Sequence, residues 1–173
     1  MSAPHIDVEQ VEAANTAYYE ALERGDFEAV SAQWLSPSDL GVDEEYHDPA
    51  DTGVISCVHP GWHALTGRGE VLRSYALIMA NTDYIQFFLT DVHVSVTGDT
   101  ALVTCTENIL SGGPAPEEGG ELGPLVGQLV VATNVFRRTD EGWKLWSHHA
   151  SPVLAETDED DTDEPPTPDD TLS

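Results

Sequence analysis

The sequence is poor in basic residues, and lysine is almost absent. Six Lys and Arg stand against 32 Asp and Glu, which gives a formal net charge of −26, and Lys144 is the only lysine. A surface of this sign repels phosphate, so the composition argues against nucleic acid and anionic membranes as partners. Nine acids lie between residues 156 and 170, which leaves 23 acids and 6 bases elsewhere, still −17. The body of the chain is therefore acidic, as expected for a protein at high salt or from a generally acidic proteome.

Cysteine and long apolar runs are also scarce. Cys57 and Cys105 are too few for a disulfide framework, and each lies in a strand-like apolar run, so we interpret both as inert core thiols. No stretch approaches ~18 uninterrupted apolar residues, and the N-terminus lacks the basic start and apolar segment of a secretory signal. We therefore expect a cytoplasmic protein. We also expect no cofactor.

Periodic apolar residues predict three helices in the first half of the chain. Asp7 begins a capping-box pattern that is followed by apolar residues at helical spacing. Gly25 ends this helix, and Asp26 is placed to cap a short second helix. A third helix is predicted to begin at 67–70 and to end at 81–83.

The second half of the chain reads mainly as β-strands. Gly98 and Asp99 predict a two-residue turn that pairs Thr97 with Thr100, and a second hairpin is predicted around 139–142. Strands are expected at 54–58, 87–97, 100–110, 128–138 and 143–151. This order predicts an α+β fold with a strongly bent antiparallel sheet and N-terminal helices packed on one face. We expect one domain over residues 1–155 and an acidic disordered tail over 156–173.

The last hairpin carries large apolar residues on both faces. With a four-residue loop at 139–142, Phe136 would face Leu145, Asn134 would face Ser147, and Ala132 would face His149. Helices can cover one side of this hairpin only. The other side is therefore expected to be covered by a second copy in a two-fold homodimer.

Several segments resemble the nuclear transport factor 2-like superfamily, a cone-shaped α+β fold. They lie within residues 8–153 and include CVHPGWHALTGRGEVLRSY, DVHVSVTGDTALV and VFRRTDEGWKLWSHHAS. The chain resembles SnoaL-like polyketide cyclases and also the association domain of calcium/calmodulin-dependent protein kinase. In that association domain, arginines of the central strands line a deep pocket, and they align with Asn108 and Asn134 here. The resemblance implies that both asparagines face one cavity without positive charge, and His149 matches a histidine of that domain.

A cavity site is predicted from this resemblance and from the alternation of the strands. His59 and His149 are the candidate acid-base residues, because histidine changes charge near neutral pH. His63, His93 and His148 are further histidines with this chemistry, and the alternative for every histidine is a hydrogen-bonded core or interface residue. No metal is predicted, because the adjacent His148 and His149 point to opposite faces of a strand. The remaining candidates are predicted to bind the ligand and comprise Asn108, Asn134, Thr106, Ser147, Trp62, Tyr18 and Phe136.

Two functions follow from these features. The first is a small-molecule-binding protein or a modest enzyme of the isomerase, cyclase or hydrolase type, acting on an apolar ring or carbonyl compound. The alternative is a non-catalytic module for homo-oligomerisation or partner binding. A carboxylate on the face of Asn134 would favour the enzyme, and the predicted register places none there, since Glu107 alternates with Asn108.

Overall fold

The structure, a computed structural model, describes residues 4–40, 55–113 and 124–154. Helices fill the first part of the described chain and long strands fill the last part, as predicted. The elements in chain order are α1 Pro4–Glu23, α2 Phe27–Gln33, a 3-10 helix Pro37–Leu40, β1 Ser56–Val58, β2 Leu65–Thr66, α3 Arg68–Ala80, β3 Tyr84–Thr97, β4 Thr100–Gly112, β5 Val126–Thr139 and β6 Gly142–Pro152.

Helix α2 begins at the cap that the sequence predicts, whereas α1 does not. The Asp26 carboxylate accepts a hydrogen bond from the Ala29 amide at 3.0 Å and caps α2 as predicted. Helix α1 instead begins at Pro4, before the predicted cap. Asp7 lies in its first turn and pairs with Arg138 of β5 at 2.9 Å. This residue therefore joins α1 to the sheet.

The strands form one open sheet in the order β2-β1-β6-β5-β4-β3. The four long strands are antiparallel, as predicted, while β1 lies parallel to β6 and makes the sheet mixed. We call the face that carries the buried Val103, Ala132 and Leu145 the inner face. The opposite outer face carries the exposed Leu102 and Val131. The α+β class is thus confirmed, with α1 and α2 packed against the sheet.

The β3–β4 hairpin has the predicted register. Thr97 pairs with Thr100, and Gly98 adopts a φ of +58°, which glycine tolerates at this turn position. Further along β3, the register shifts between Thr90 and His93, a β-bulge that the sequence pattern did not indicate.

The β5–β6 hairpin departs from the predicted register. Phe136 pairs with Leu145 as expected, but Val135 pairs with Ser147, which leaves Trp146 as an extra residue in a β-bulge. Every pair beyond the bulge is displaced by one residue, so Asn134 faces His148 and Ala132 faces Ala150. The predicted partners Ser147 and His149 were wrong, because period-two counting assumes an uninterrupted strand.

Some predictions concern residues that the structure does not describe. The disordered tail at 156–173 lies wholly outside the described ranges. Within residues 4–40, 55–113 and 124–154, no helix is long and apolar enough to cross a membrane.

Candidate active site

A cavity of about 300 Å³ lies between the inner face and the helices. Side chains of α1, α3 and the segment after β1 form its walls, and β3, β4, β5 and β6 form its floor. Exposed residues at the ends of α1 and α3 also line it, so the cavity opens to solvent there. The lining residues are Tyr18, Tyr19, Leu22, Glu23, Arg24, Gly25, His59, Pro60, Trp62, Tyr75, Ile78, Met79, Thr82, Asp83, Ile85, Phe87, Glu107, Ile109, Ser111, Gln128 and His148.

Glu107 is a carboxyl group buried in the floor of this cavity. It projects from the inner face of β4 and is only 2% exposed. The Tyr19 hydroxyl of α1 donates a hydrogen bond to its Oε2 at 2.5 Å. Burial raises the pKa of Glu107 to about 7, and the Tyr19 hydrogen bond opposes this rise because it favours the ionised form. Glu107 can therefore both take up and release a proton near neutral pH.

Asn134 connects this acid to a histidine. Its Nδ2 donates to the Tyr19 hydroxyl at 3.1 Å and to Asn15 Oδ1 at 2.8 Å. Its Oδ1 forms a hydrogen bond with His148 Nδ1. Asn134 is fully buried behind the cavity lining, so it orders the residues that line the cavity.

The two cavity histidines are electrically neutral near pH 7. Burial lowers the pKa of His59 to about 4. Burial, together with repulsion from His59 and His149, lowers the pKa of His148 to about 3. His59 Nε2 lies 2.8 Å from the Ser74 hydroxyl, which donates to the Val71 carbonyl oxygen at 2.5 Å, so the Nε2–H donates to Ser74.

Two tyrosines contribute hydroxyl groups to the wall. The Tyr18 and Tyr75 hydroxyls lie 2.5 Å apart, and Tyr75 also lies 3.7 Å from Cys57 Sγ. Burial raises the pKa of both tyrosines, which keeps both hydroxyls protonated. Burial likewise raises the pKa of Cys57 to about 12, so this thiol does not act as a thiolate near neutral pH.

The structure brings three of the predicted site residues together at the cavity. His59, Tyr18 and Trp62 line it, and the His59 and Trp62 rings meet edge to face with centroids 5.0 Å apart. Asn134 lies one layer behind the lining, while Phe136 is fully buried in the core.

The other four predicted residues lie elsewhere. Asn134 pairs with Val103, which places Asn134 on the inner face with Val103. Thr106 and Asn108 alternate with the inner residues of β4 and therefore lie on its outer face. The β6 bulge turns His149 outward, where it is exposed, and Ser147 hydrogen-bonds Ser56 of β1 at 2.9 Å. The implied common face of Asn108 and Asn134 is therefore wrong.

Three residues with site chemistry were not predicted there, namely Glu107, Tyr19 and Tyr75, and His148 rather than His149 lines the cavity. The predicted β3–β4 register placed Cys105 on the face opposite Thr106 and Asn108, and Glu107 follows Cys105 at the strand period of two. The cavity was predicted on the face of Asn108, so Glu107 was assigned away from it. The carboxylate on the face of Asn134 nevertheless exists. No local signal in the sequence marks Trp146 as the extra residue that turns His148 inward.

Within the described ranges, no three His, Cys, Asp or Glu side chains are arranged to hold a metal ion.

No curated protein matches the chain. A protein from Streptomyces avermitilis, described provisionally as a dehydratase of the nuclear transport factor 2-like family, is 80% identical with a TM-score of 0.82. That match covers 88% of this chain and 100% of the other.

Two more distant structures share the fold. A Thiobacillus denitrificans protein, described provisionally as a calcium/calmodulin-dependent protein kinase type II association domain, is 25% identical over 82% of this chain and 94% of the other, with a TM-score of 0.58. A provisional scytalone dehydratase from Novosphingobium aromaticivorans is 10% identical over 86% and 85%, with a TM-score of 0.67. The family model for the SnoaL-like domain matches residues 11–156, and this chain belongs to that family, within the nuclear transport factor 2-like fold.

Proposed function

We propose that the protein is an acid-base enzyme that binds a small apolar ring or carbonyl compound, with Glu107 as the group that moves the proton. The observation that carries the proposal is a carboxyl group, 2% exposed, in the floor of a cavity, with its pKa raised to about 7. Buried carboxyls in clefts with such pKa values are typical of general acids and bases. The Streptomyces relative, described provisionally as a dehydratase, supports the same class of chemistry.

The proposed step is proton transfer at a carbon next to a carbonyl group. Ionised Glu107 removes the proton, and the electron pair of the C–H bond moves into the carbonyl to form an enolate. The protonated Glu107 then returns the proton at another carbon, which is an isomerisation, or supplies it to a leaving hydroxyl, which is a dehydration. Both outcomes balance without a further reactant.

In this proposal the tyrosine pair stabilises the enolate oxygen. When one of the Tyr18 and Tyr75 hydroxyls donates to the other, the second keeps a hydrogen that can be donated to a ligand oxygen. Both side chains line the cavity, as does Trp62, which offers an apolar wall. His59 and His148 contribute hydrogen-bonding groups in this proposal, because neutral imidazoles with such low pKa values are weak bases.

The proposal can be tested without knowledge of the natural substrate. A two-ring ketone such as 2-tetralone, incubated with the protein in D2O, would exchange its acidic C–H protons for deuterium, and NMR would follow the rate. We expect wild-type protein to accelerate exchange, with an inflection near pH 7. Glu107→Gln should lower the rate by about 10²–10⁴-fold, the range of general acid-base catalysis.

Asn108→Asp is the matched control, because it places a new carboxylate on the same strand but on the outer face. Its exchange rate should equal that of the wild type. Equal rates for Glu107→Gln and the wild type would contradict the proposal, as would a pH profile without the inflection. A protein that accelerates the exchange of no ring ketone would also contradict it.

A second function, homodimer formation, is favoured by the outer face. Phe88, Leu102 and Val131 lie on three adjacent strands of this face and are 52%, 43% and 47% exposed. The region of the outer face that extends across the sheet from Leu102 on β4 to Ser151 on β6 carries no Asp or Glu, although the whole chain has 32. A neutral, partly apolar surface on a strongly acidic protein suits contact with a second copy. This role is compatible with catalysis on the inner face.

A further inference from the structure

Asn134 holds His148 in one tautomer. The Asn134 amide nitrogen is committed to two acceptors, Asn15 Oδ1 at 2.8 Å and the Tyr19 hydroxyl oxygen at 3.1 Å. The Tyr19 hydroxyl can accept because its own hydrogen is donated to Glu107. The orientation of the Asn134 amide is therefore set from two sides, and its Oδ1 is directed at His148 Nδ1.

This arrangement determines which ring nitrogen of neutral His148 carries the hydrogen. Asn134 Oδ1 can only accept a hydrogen bond, so His148 Nδ1 must carry the hydrogen. A neutral imidazole carries a single N–H, and its second nitrogen, Nε2, then has a lone pair and accepts hydrogen bonds. Burial, which holds the pKa of His148 at about 3, keeps the ring in this neutral form.

We infer that His148 Nε2 is an acceptor site for the ligand, and that the ligand is a neutral ring compound carrying a hydroxyl group that donates to it. His148 lines the cavity, and its remaining ring nitrogen is available there once Nδ1 is bonded to Asn134. A ligand that donates a hydrogen bond to this largely buried acceptor should bind more tightly than one that does not. A ligand without a donor would remove water from Nε2 and leave its lone pair without a hydrogen bond, which costs binding free energy. This inference rests on the proposed cavity function and adds the kind of ligand that the cavity selects.

The other charges around the cavity exclude an anionic ligand. Glu107 lies in the floor, and Glu23 and Asp83 line the cavity at the ends of α1 and α3, together with Arg24. A ligand carboxylate would meet the lone pair of His148 and the ionised Glu107, and the cationic Arg24 lies beside the acidic Glu23 at the end of α1. The same ring compound should therefore bind best with a hydroxyl, less well with a methoxy group, and least well with a carboxylate.

A matched series of two-ring probes tests this order. Isothermal titration calorimetry with 2-naphthol, 2-methoxynaphthalene and 2-naphthoate at pH 8, where Glu107 is ionised, compares a donor, a non-donor and an anion on one framework. We expect 2-naphthol to bind wild-type protein about tenfold more tightly than 2-methoxynaphthalene, the value of one buried hydrogen bond. His148→Phe should abolish this preference while both neutral probes still bind.

Asn134→Ala and Asn15→Ala form the second comparison. Asn134→Ala removes the acceptor that fixes His148 Nδ1–H, so the preference for 2-naphthol should fall. Asn15→Ala removes a bond of the same buried network but leaves the Asn134–His148 bond, so the preference should persist. Asn15→Ala therefore controls for a general loss of packing in this region.

The tautomer can be read directly, without any ligand. In ¹⁵N NMR spectra of the wild-type protein, His148 should show a protonated Nδ1 and an unprotonated Nε2. A protonated Nε2 would overturn the inference. Equal binding of 2-naphthol and 2-methoxynaphthalene, or binding of neither, would also overturn it. None of these results bears on ketone exchange by Glu107, so the two proposals can fail separately.

Discussion

The inner and outer faces of the sheet carry the same kinds of residue in opposite environments. Phe136 and Asn134 are fully buried on the inner face, and His148 is 4% exposed. Phe88 is 52% exposed on the outer face, where Asn108 and His149 also lie. The identity of a residue therefore does not assign it to the cavity, because the side of the sheet on which it emerges decides its neighbours.

The two faces also differ in how polar groups find partners. Asn134 joins helix α1 and strand β6 through three side-chain hydrogen bonds, whereas Asn108 bonds the Phe88 carbonyl oxygen and the Thr90 hydroxyl of the next strand. The inner network spans distant parts of the chain and includes an ionisable carboxyl. The outer bonds are local, so their loss should have smaller consequences.

Removal of a phenylalanine ring from each face should give the largest difference. Phe136→Ala leaves a cavity in the core and should lower the free energy of unfolding by about 3–5 kcal/mol. Phe88→Ala removes a half-exposed ring and should cost less than about 1 kcal/mol in the monomer. Urea denaturation at equal protein concentration measures both. Equal losses would contradict the assignment of the faces.

The next effect concerns Glu107 and depends on pH. Its pKa is raised from 4.5 to about 7, so the folded protein binds this proton more tightly than the unfolded chain does. The stability that the bound proton provides is fully present below pH 4.5 and is lost as the pH rises through 7. The full difference corresponds to about 3 kcal/mol. Glu107→Gln should therefore be more favourable to stability at pH 8 than at pH 5 by up to this amount.

His59 and His148 titrate in the opposite sense and must be separated from Glu107. Their pKa values are lowered to about 4 and about 3, so their contribution is present above pH 6.5 and is lost as the pH falls towards those values. Because these histidines are common to both proteins, the difference between wild type and Glu107→Gln at each pH isolates the carboxyl group. A difference that does not change between pH 5 and pH 8 would contradict the raised pKa of Glu107.

Adjacent histidines on β6 provide a smaller test of the bulge. His148→Ala leaves Asn134 Oδ1 without its partner in a buried site and should cost about 1–3 kcal/mol. His149→Ala changes an exposed residue and should alter stability by no more than about 0.5 kcal/mol. Thermal unfolding of the two variants at pH 7 checks the contrast. The reverse order would indicate a strand without the Trp146 bulge.

The sequence predicted the elements better than the site, for a physical reason. Asp26, Gly98 and the apolar periodicity are local signals, and the α2 cap and the β3–β4 turn lie where these signals placed them. The faces of β6 depend on one inserted residue, Trp146, whose effect accumulates along the strand. The alternation of β4 correctly placed Glu107 opposite Asn108, but alternation does not say which face lines the cavity. The family resemblance assigned Asn134 and the cavity to the face of Asn108, so the acid was missed.

A charge on the outer face should have the smallest effect on the monomer and a specific effect on assembly. Leu102→Glu introduces a carboxylate beside Val135. The outer face from Leu102 on β4 across β5 to Ser151 on β6 otherwise carries no acid. The residue is 43% exposed, so the free energy of monomer unfolding should change by about 0.5 kcal/mol or less. In a two-fold dimer each copy would bring a like charge to the interface, so association should weaken.

Sedimentation velocity should show a dimer for the wild type and a shift towards monomer for Leu102→Glu, with Leu102→Gln as the uncharged control. A wild-type protein that is monomeric at micromolar concentration would remove the outer face as a dimer interface and leave the inner cavity as the only proposed site of function.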